Sequence, residues 1–171
     1  AGQICTTADH VFVPQHKVDE FVEIARRTVS ARYPSLDSPD FTSVIDDRAF
    51  NRITRALEEA QERGATLVQL VPGPKWDAAT RKISPHIVLN APADCELRTR
   101  EIFGPVLPVI PYTAVEDVVR AINAGPRPLA FYPFSNDKRL IHDLIHRVMS
   151  GGVTVNDIVL HTGQHDMPFG G

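Results

Sequence analysis

Residues 2–5 read Gly-Gln-Ile-Cys, and Cys5 is the side chain best suited to nucleophilic work. Its thiolate could add to an electrophilic carbon, and backbone N–H groups of the turn that carries it could hold the oxygen that becomes negative. The opposing reading is bland, since most lone cysteines are small buried hydrophobes. That bland reading is kept for Cys95, in Ala-Asp-Cys-Glu-Leu. Farther along, Arg-Glu-Ile-Phe-Gly-Pro sets Glu101 and Phe103 ahead of a turn at Gly104 and Pro105. A carboxylate there could accept two ribose hydroxyls, and the ring beside it could pack on a flat heterocycle. By itself the segment is equally a turn before a strand.

Two further segments compete for attention. His-Asp-Leu-Ile-His places His142 and His146 on one helical face, as a zinc pair requires, with Asp143 where the zinc-protease pattern has its glutamate base. Aspartate is too short for that pose, and no third ligand stands at a familiar spacing. Surface or structural histidines, and no bound metal, are therefore expected. The tail from Ser150 onward combines small residues, an Asn156-Asp157 corner and a Pro-Phe-Gly-Gly turn. Such a run describes backbone that approaches something closely, or else a loop that closes the domain.

Positioning these residues falls to short β-branched runs that alternate with helical patterns. Asp9 to Pro14 reads as a strand, and Val18, Phe21, Val22, Ala25 and Val29 recur at helical spacing between Lys17 and Arg32, where Pro34 ends the run. Phe50, Ile53, Ala56, Leu57 and Ala60 predict a second helix over about Asp47 to Arg63, with Gly64 as its carboxyl cap. Strands are expected at Thr66–Val71, His86–Asn90 and Val106–Tyr112, with Pro108 and Pro111 arguing for bends or an edge in the last. Thr113 and Glu116 form a capping box for a helix ending near Gly125. Leu129 to Ser135 reads as a strand, and Ser135 or Asn136 as the cap of a helix through about Met149. Strands alternating with helices predict an α/β layer fold with much of its sheet parallel.

Composition bounds the possibilities. With 171 residues, 43% of them hydrophobic, the chain suits one domain with a sizeable core. A formal net charge of −3 with scattered Lys and Arg advertises neither nucleic acid nor an anionic membrane as partner. No apolar stretch approaches the roughly 20 residues of a membrane helix. Two cysteines make no disulfide framework, which fits a reducing, cytoplasmic setting.

Taken in order, Gly-Gln-Ile-Cys, Glu-Ile-Phe-Gly-Pro, Ser-Gly-Gly-Val-Thr-Val-Asn-Asp and Met-Pro-Phe-Gly-Gly resemble the motifs of the aldehyde dehydrogenase superfamily. Pro-Leu-Ala-Phe-Tyr-Pro-Phe-Ser and the paired histidines before the last motif resemble its class 3 branch and, more narrowly, its bacterial coniferyl aldehyde dehydrogenases. The resemblance spans the chain and implies a three-layer αβα catalytic domain over residues 1–171 with a largely parallel sheet. It implies Cys5 as the nucleophile toward an aldehyde, passing a hydride to NAD or NADP, with the Cys5 N–H as half of an oxyanion hole. Gln3 and Ile4 would shape the turn. Glu101 would hold the nicotinamide ribose, and Phe103 would lie near the nicotinamide. Asn156 would brace active-site loops, Phe169 would border the aldehyde tunnel, and His161 and His165 would line its mouth.

In that family the dinucleotide-binding domain, the general-base glutamate and the second oxyanion donor precede the cysteine motif. The chain is therefore expected to be a catalytic domain cut at both ends, inactive alone, from a homodimer or higher homo-oligomer. Arg100 departs from the acid that many relatives carry before the glutamate, and so alters the charge around Glu101. A non-catalytic interaction module that keeps the enzyme fold is the alternative.

Overall fold

In the computed structural model, which describes residues 2–170, the chain gathers into two compact units. One holds Gly2, Gln3 and Ala8–Pro111; the other holds Ile4–Thr7 and the chain from Tyr112 onward. Composition alone suggests one core. Most of the apolar burial lies in the first unit, whereas Val118, Val119 and Val148 are the buried aliphatic side chains described in the second.

The first unit begins with β1 (Val11–Pro14) and α1 (Val18–Arg32), followed by α2 (Asp47–Glu62) and β2 (Thr66–Gln69). A small antiparallel hairpin, β3 (Trp76–Asp77) and β4 (Lys82–Ile83), fills the expected excursion. Then come β5 (His86–Leu89), the short α3 (Glu96–Thr99) and β6 (Val106–Tyr112). The sheet runs in the order β1-β6-β5-β2. Parallel pairing of β5 with β6 and antiparallel pairing of β2 with β5 make it a mixed sheet of the α/β class expected.

Alternation along the strands sends side chains to two cores. Ile87 and Val109 pack with Val22 of α1 on one face, while Val88 and Val106 pack with Ile53 and Leu57 of α2 on the other. A helix layer thus covers each face of the sheet, the three-layer arrangement that buries both sides of a partly parallel sheet.

The α2 helix forms where its apolar spacing predicts. Phe50, Ile53, Ala56, Leu57 and Ala60 are all buried, and Asp46 caps the start by accepting from the Ala49 N–H at 2.7 Å. Past its end, the Ala65 N–H returns to the Ala60 carbonyl at 2.9 Å, the bond expected when Gly64 follows the last turn. The prolines of β6 mislead. β6 lies between β1 and β5, with Pro108 opposite Val88, so the strand is interior and not an edge. Each proline forfeits one ladder bond, and the two cores on either side of the strand hold it in place nonetheless.

The second unit contains α4 (Val115–Ala124), β7 (Ala130–Phe131), α5 (Lys138–Arg147) and β8 (Gly152–Val153), with β7 and β8 parallel. Two caps differ from expectation. Helix α4 starts one residue late for a Thr113 box: Ala114 is its cap and makes no side-chain bond. Glu116 and Asp117 in the first turn still complement the helix dipole. For α5 the cap is Asp137, which accepts from the N–H groups of Arg139 and Leu140. Ser135 instead accepts from the Asp137 N–H at 3.0 Å, one step before the helix. Only Ala130–Phe131 of the expected strand at Leu129–Ser135 pairs, and α5 stops at Arg147. Among the described residues no helix is long and apolar enough to cross a membrane.

Candidate active site

Cys5 sits exposed on a tight turn in the second unit. Two bonds close that turn onto one acceptor: the Thr7 N–H and the Thr7 hydroxyl both donate to the Ile4 carbonyl, at 2.9 and 2.7 Å. The residues before it are fixed within the first unit. The Gln3 side-chain amide donates to the Ser43 carbonyl at 2.9 Å and accepts from the Ile45 N–H at 3.0 Å, so it pairs with the backbone on both sides of buried Val44. Gly2, at φ +73°, lies against Gly104, and a Cβ on Gly2 would overlap the Gly104 carbonyl. The first two sequence motifs therefore meet in the first unit through their glycines.

What presents Glu101 and Phe103 is the residue between them. Ile102 is 1% exposed; its N–H donates to Asp9 Oδ1 at 2.9 Å and its carbonyl accepts from the Arg52 guanidinium. Held by side chain and backbone alike, Ile102 leaves its two neighbours at the surface: Glu101 is exposed and Phe103 is 37% exposed. Phe103 has φ +52°, an uncommon conformation for a bulky residue and one that clusters at functional sites. Arg100 turns back to Glu96, with Nη1 3.4 Å from Oε1.

In the second unit Asn156 has φ +57°, which asparagine tolerates better than most residues. Its Oδ1 accepts from the Ser135 N–H at 2.8 Å, and its Nδ2 donates to the Ser135 carbonyl at 3.0 Å. The Asn156 N–H also donates to the Pro133 carbonyl at 3.0 Å. Asn156 thus ties the 133–135 loop to its own corner.

His161 stands apart from His165. Its N–H donates to Thr154 Oγ1, and its Nδ1 lies 3.1 Å from that same oxygen, while Nε2 is buried without a partner among the described residues. His165 and Phe169 are both exposed in the tail, Phe169 by 51%. Tyr132 and Thr154 lie within quoted motifs, but the motifs give neither of them a role. Tyr132 donates its phenol proton to the Thr6 carbonyl at 2.6 Å across 126 residues of sequence, a separation that no local pattern reveals.

The histidine pair of α5 packs ring on ring, with centroids 4.1 Å apart and His146 Nδ1 turned 2.7 Å from the His142 carbonyl. Asp143 is taken by Arg147, whose Nη1 donates to it at 2.8 Å. Among the described residues no group of three His, Cys, Asp or Glu side chains is placed to share a metal ion.

The model of the aldehyde dehydrogenase family matches residues 1–171. A probable coniferyl aldehyde dehydrogenase of Pseudomonas aeruginosa is 42% identical over 172 aligned positions, which cover all of this chain and 35% of that relative. A dimeric NADP-preferring aldehyde dehydrogenase of Rattus norvegicus is 30% identical, over all of this chain and 36% of its own length. A substrate-bound Staphylococcus aureus AldH structure superposes with a TM-score of 0.90 at 28% identity, covering 99% of this chain and 36% of that one. The chain thus spans about a third of the length of these relatives.

Proposed function

The chain belongs to the aldehyde dehydrogenase family, and from that premise we propose that it forms the catalytic-domain part of an NAD(P)-dependent enzyme oxidising a hydrophobic or aromatic aldehyde, of the coniferyl type, to its carboxylate. The observation that carries this reading is the exposed Cys5 thiol on its doubly bonded turn. As a thiolate, Cys5 Sγ forms a bond to the aldehyde carbon, and the carbonyl oxygen takes up the negative charge beside the Cys5 N–H. NAD(P)+, which Glu101 and Phe103 would hold, would supply the hydride acceptor for oxidation of the Cys5 adduct to a thioester. Water then cleaves the C–S bond, releasing the carboxylate and returning the thiol.

For the cofactor, the chemistry of the residues present is suitable. Glu101 offers an exposed carboxylate, an acceptor for two ribose hydroxyls, and Phe103 offers a partly exposed ring face for the nicotinamide. The NADP preference named for the rat relative supports a dinucleotide of this kind, and its dimeric state supports a homodimer or higher homo-oligomer. Asn156 braces the loops around the site, with Phe169, His161 and His165 bordering the aldehyde path.

The test is Cys5→Ser in the enzyme that contains this domain, assayed for NAD(P)H formation from coniferyl aldehyde. Loss of the nucleophile is expected to lower kcat at least about a thousandfold, as removal of a covalent nucleophile does elsewhere. Retained turnover would remove Cys5 from the mechanism.

A further inference from the structure

We propose that Tyr132 is a positioning residue for the nucleophile turn: its hydroxyl holds the Thr6 carbonyl and thereby sets the Thr6–Thr7 peptide, one residue beyond Cys5. The proposal rests on the reading of Cys5 as nucleophile. The turn's own bonds converge on the Ile4 carbonyl, from the Thr7 N–H and the Thr7 hydroxyl. Thr6 is 2% exposed, and a buried backbone carbonyl needs a partner to offset its lost hydration. Tyr132 supplies that partner at 2.6 Å.

The phenol is itself held from behind. The His161 ring lies with its centroid 5.8 Å from that of Tyr132. His161 is in turn pinned by Thr154 Oγ1, which accepts from its N–H at 3.1 Å and lies 3.1 Å from its Nδ1. The ring also occupies the space that a Cβ on Gly152 would take, which leaves it little room to turn. Support therefore runs from Gly152 and Thr154 through His161 to Tyr132, and from Tyr132 to the residue after the thiol. Burial raises the Tyr132 phenol above its ordinary range, the Val159 N–H and the Thr6 side-chain hydroxyl oppose the rise, and the neighbouring Cys5 adds to it. Tyr132 thus stays a donor at neutral pH, as this bond requires. A phenylalanine would fill the same space and leave the Thr6 carbonyl without its partner.

The experiment is Tyr132→Phe in the full enzyme, read by amide exchange at Thr7, by kcat and KM for the aldehyde, and by thermal melting. With the fold retained, Thr7 exchange is expected to rise and kcat to fall, each by about tenfold, the equilibrium worth of one hydrogen bond, while KM stays within about twofold. 4-Aminophenylalanine at position 132 keeps a donor and is expected to restore both. Unchanged exchange overturns the proposal. Faster exchange with unchanged kcat overturns it equally, because the bond would then be merely structural. Should Tyr132→Phe fail to fold, Thr154→Val, which frees His161 but keeps the Tyr132 hydroxyl, is expected to move Thr7 exchange and kcat in the same directions. No change in either would overturn the proposal. Activity that survives Cys5→Ser defeats the nucleophile reading alone, and leaves the exchange result at Thr7 to stand as evidence that Tyr132 holds the turn.

Discussion

Gly2 lies against Gly104 so closely that a Cβ on Gly2 would overlap the Gly104 carbonyl, and Gly2 itself has φ +73°. The contact joins the glycine of the cysteine motif to that of the Glu-Ile-Phe-Gly-Pro motif. Gly2→Ala faces both a steric overlap and a left-handed backbone, together costing about 1–3 kcal/mol where the chain cannot move aside. The expected outcome is a lower melting temperature. Faster amide exchange at Ile45, whose N–H is held by Gln3 next along the chain, should accompany it. A melting curve and Ile45 exchange matching the parent protein would show that the contact constrains nothing.

Gln3 separates two roles that a single substitution usually confounds. Gln3→Glu keeps the acceptor for the Ile45 N–H but turns a carboxylate oxygen toward the Ser43 carbonyl, where an amide donor stood. Losing one donor and facing two acceptors is expected to cost about 1–2 kcal/mol, more than the loss in Gln3→Met, which gives up both bonds without the repulsion. Urea unfolding of the two variants checks the order.

Local signals were legible in the sequence, and long-range ones were not. The apolar stripe of α2 and its Gly64 stop are decided within a few turns of chain, and both formed as the spacing indicates. Competition among neighbouring cap candidates is decided by differences too small for a pattern to rank. Ala114 and Asp137 took the places expected for Thr113 and for Ser135 or Asn136. Pro108 argued for an edge, yet strand order is set by which faces the two cores cover. The motif offers Glu101 and Phe103 as candidates, but it does not reveal the anchoring of Ile102 that leaves them at the surface. Nor could the bond from Tyr132 to Thr6 be read, since its partners are 126 residues apart.

Asn156 combines an unusual backbone with two side-chain bonds to Ser135, and substitutions can divide the two. Asn156→Gly keeps the positive φ available and loses the bonds, while Asn156→Ala loses the bonds and strains the backbone. Because these bonds are exposed, Asn156→Gly is expected to cost about 1 kcal/mol, and Asn156→Ala about 1 kcal/mol more. Equal stability of the two variants in chemical denaturation would show that the φ imposes no strain.

His86 predicts a pH dependence of folding. It is 1% exposed, its Nδ1–H donates to the Ser84 carbonyl at 2.6 Å, and Nε2 has no partner among the described residues. Burial, with Lys75 adding to it, lowers its pKa against the opposing Ser84 bond, so the folded state keeps the ring neutral. Below the unfolded value of about 6.5 the unfolded chain binds a proton that the folded chain refuses, and stability is lost as pH falls. The slope from this group is at most about 1.4 kcal/mol per pH unit. Urea unfolding from pH 7.5 to 5 should show it, and His86→Phe should flatten it whatever that variant's absolute stability. A slope unchanged in His86→Phe would assign the effect to other groups.

The two thiols differ in burial, and that difference makes one of them a gauge of stability. Cys5 is exposed, whereas Cys95 is 0% exposed and packs in the core with Leu97 and Ile102. Iodoacetamide should reach Cys5 directly, and Cys95 only when the first unit opens. If opening costs even about 5 kcal/mol, the open fraction is near 10⁻⁴, and alkylation at Cys95 should be slower by at least about a thousandfold. Adding urea should raise the Cys95 rate exponentially, because the opening free energy falls linearly with denaturant, and should leave the Cys5 rate nearly constant until the rates converge. Mass spectrometry resolves the two sites in one sample. Comparable rates in native buffer would place Cys95 on a surface, and the core between the sheet and α2 would then have to be drawn without it.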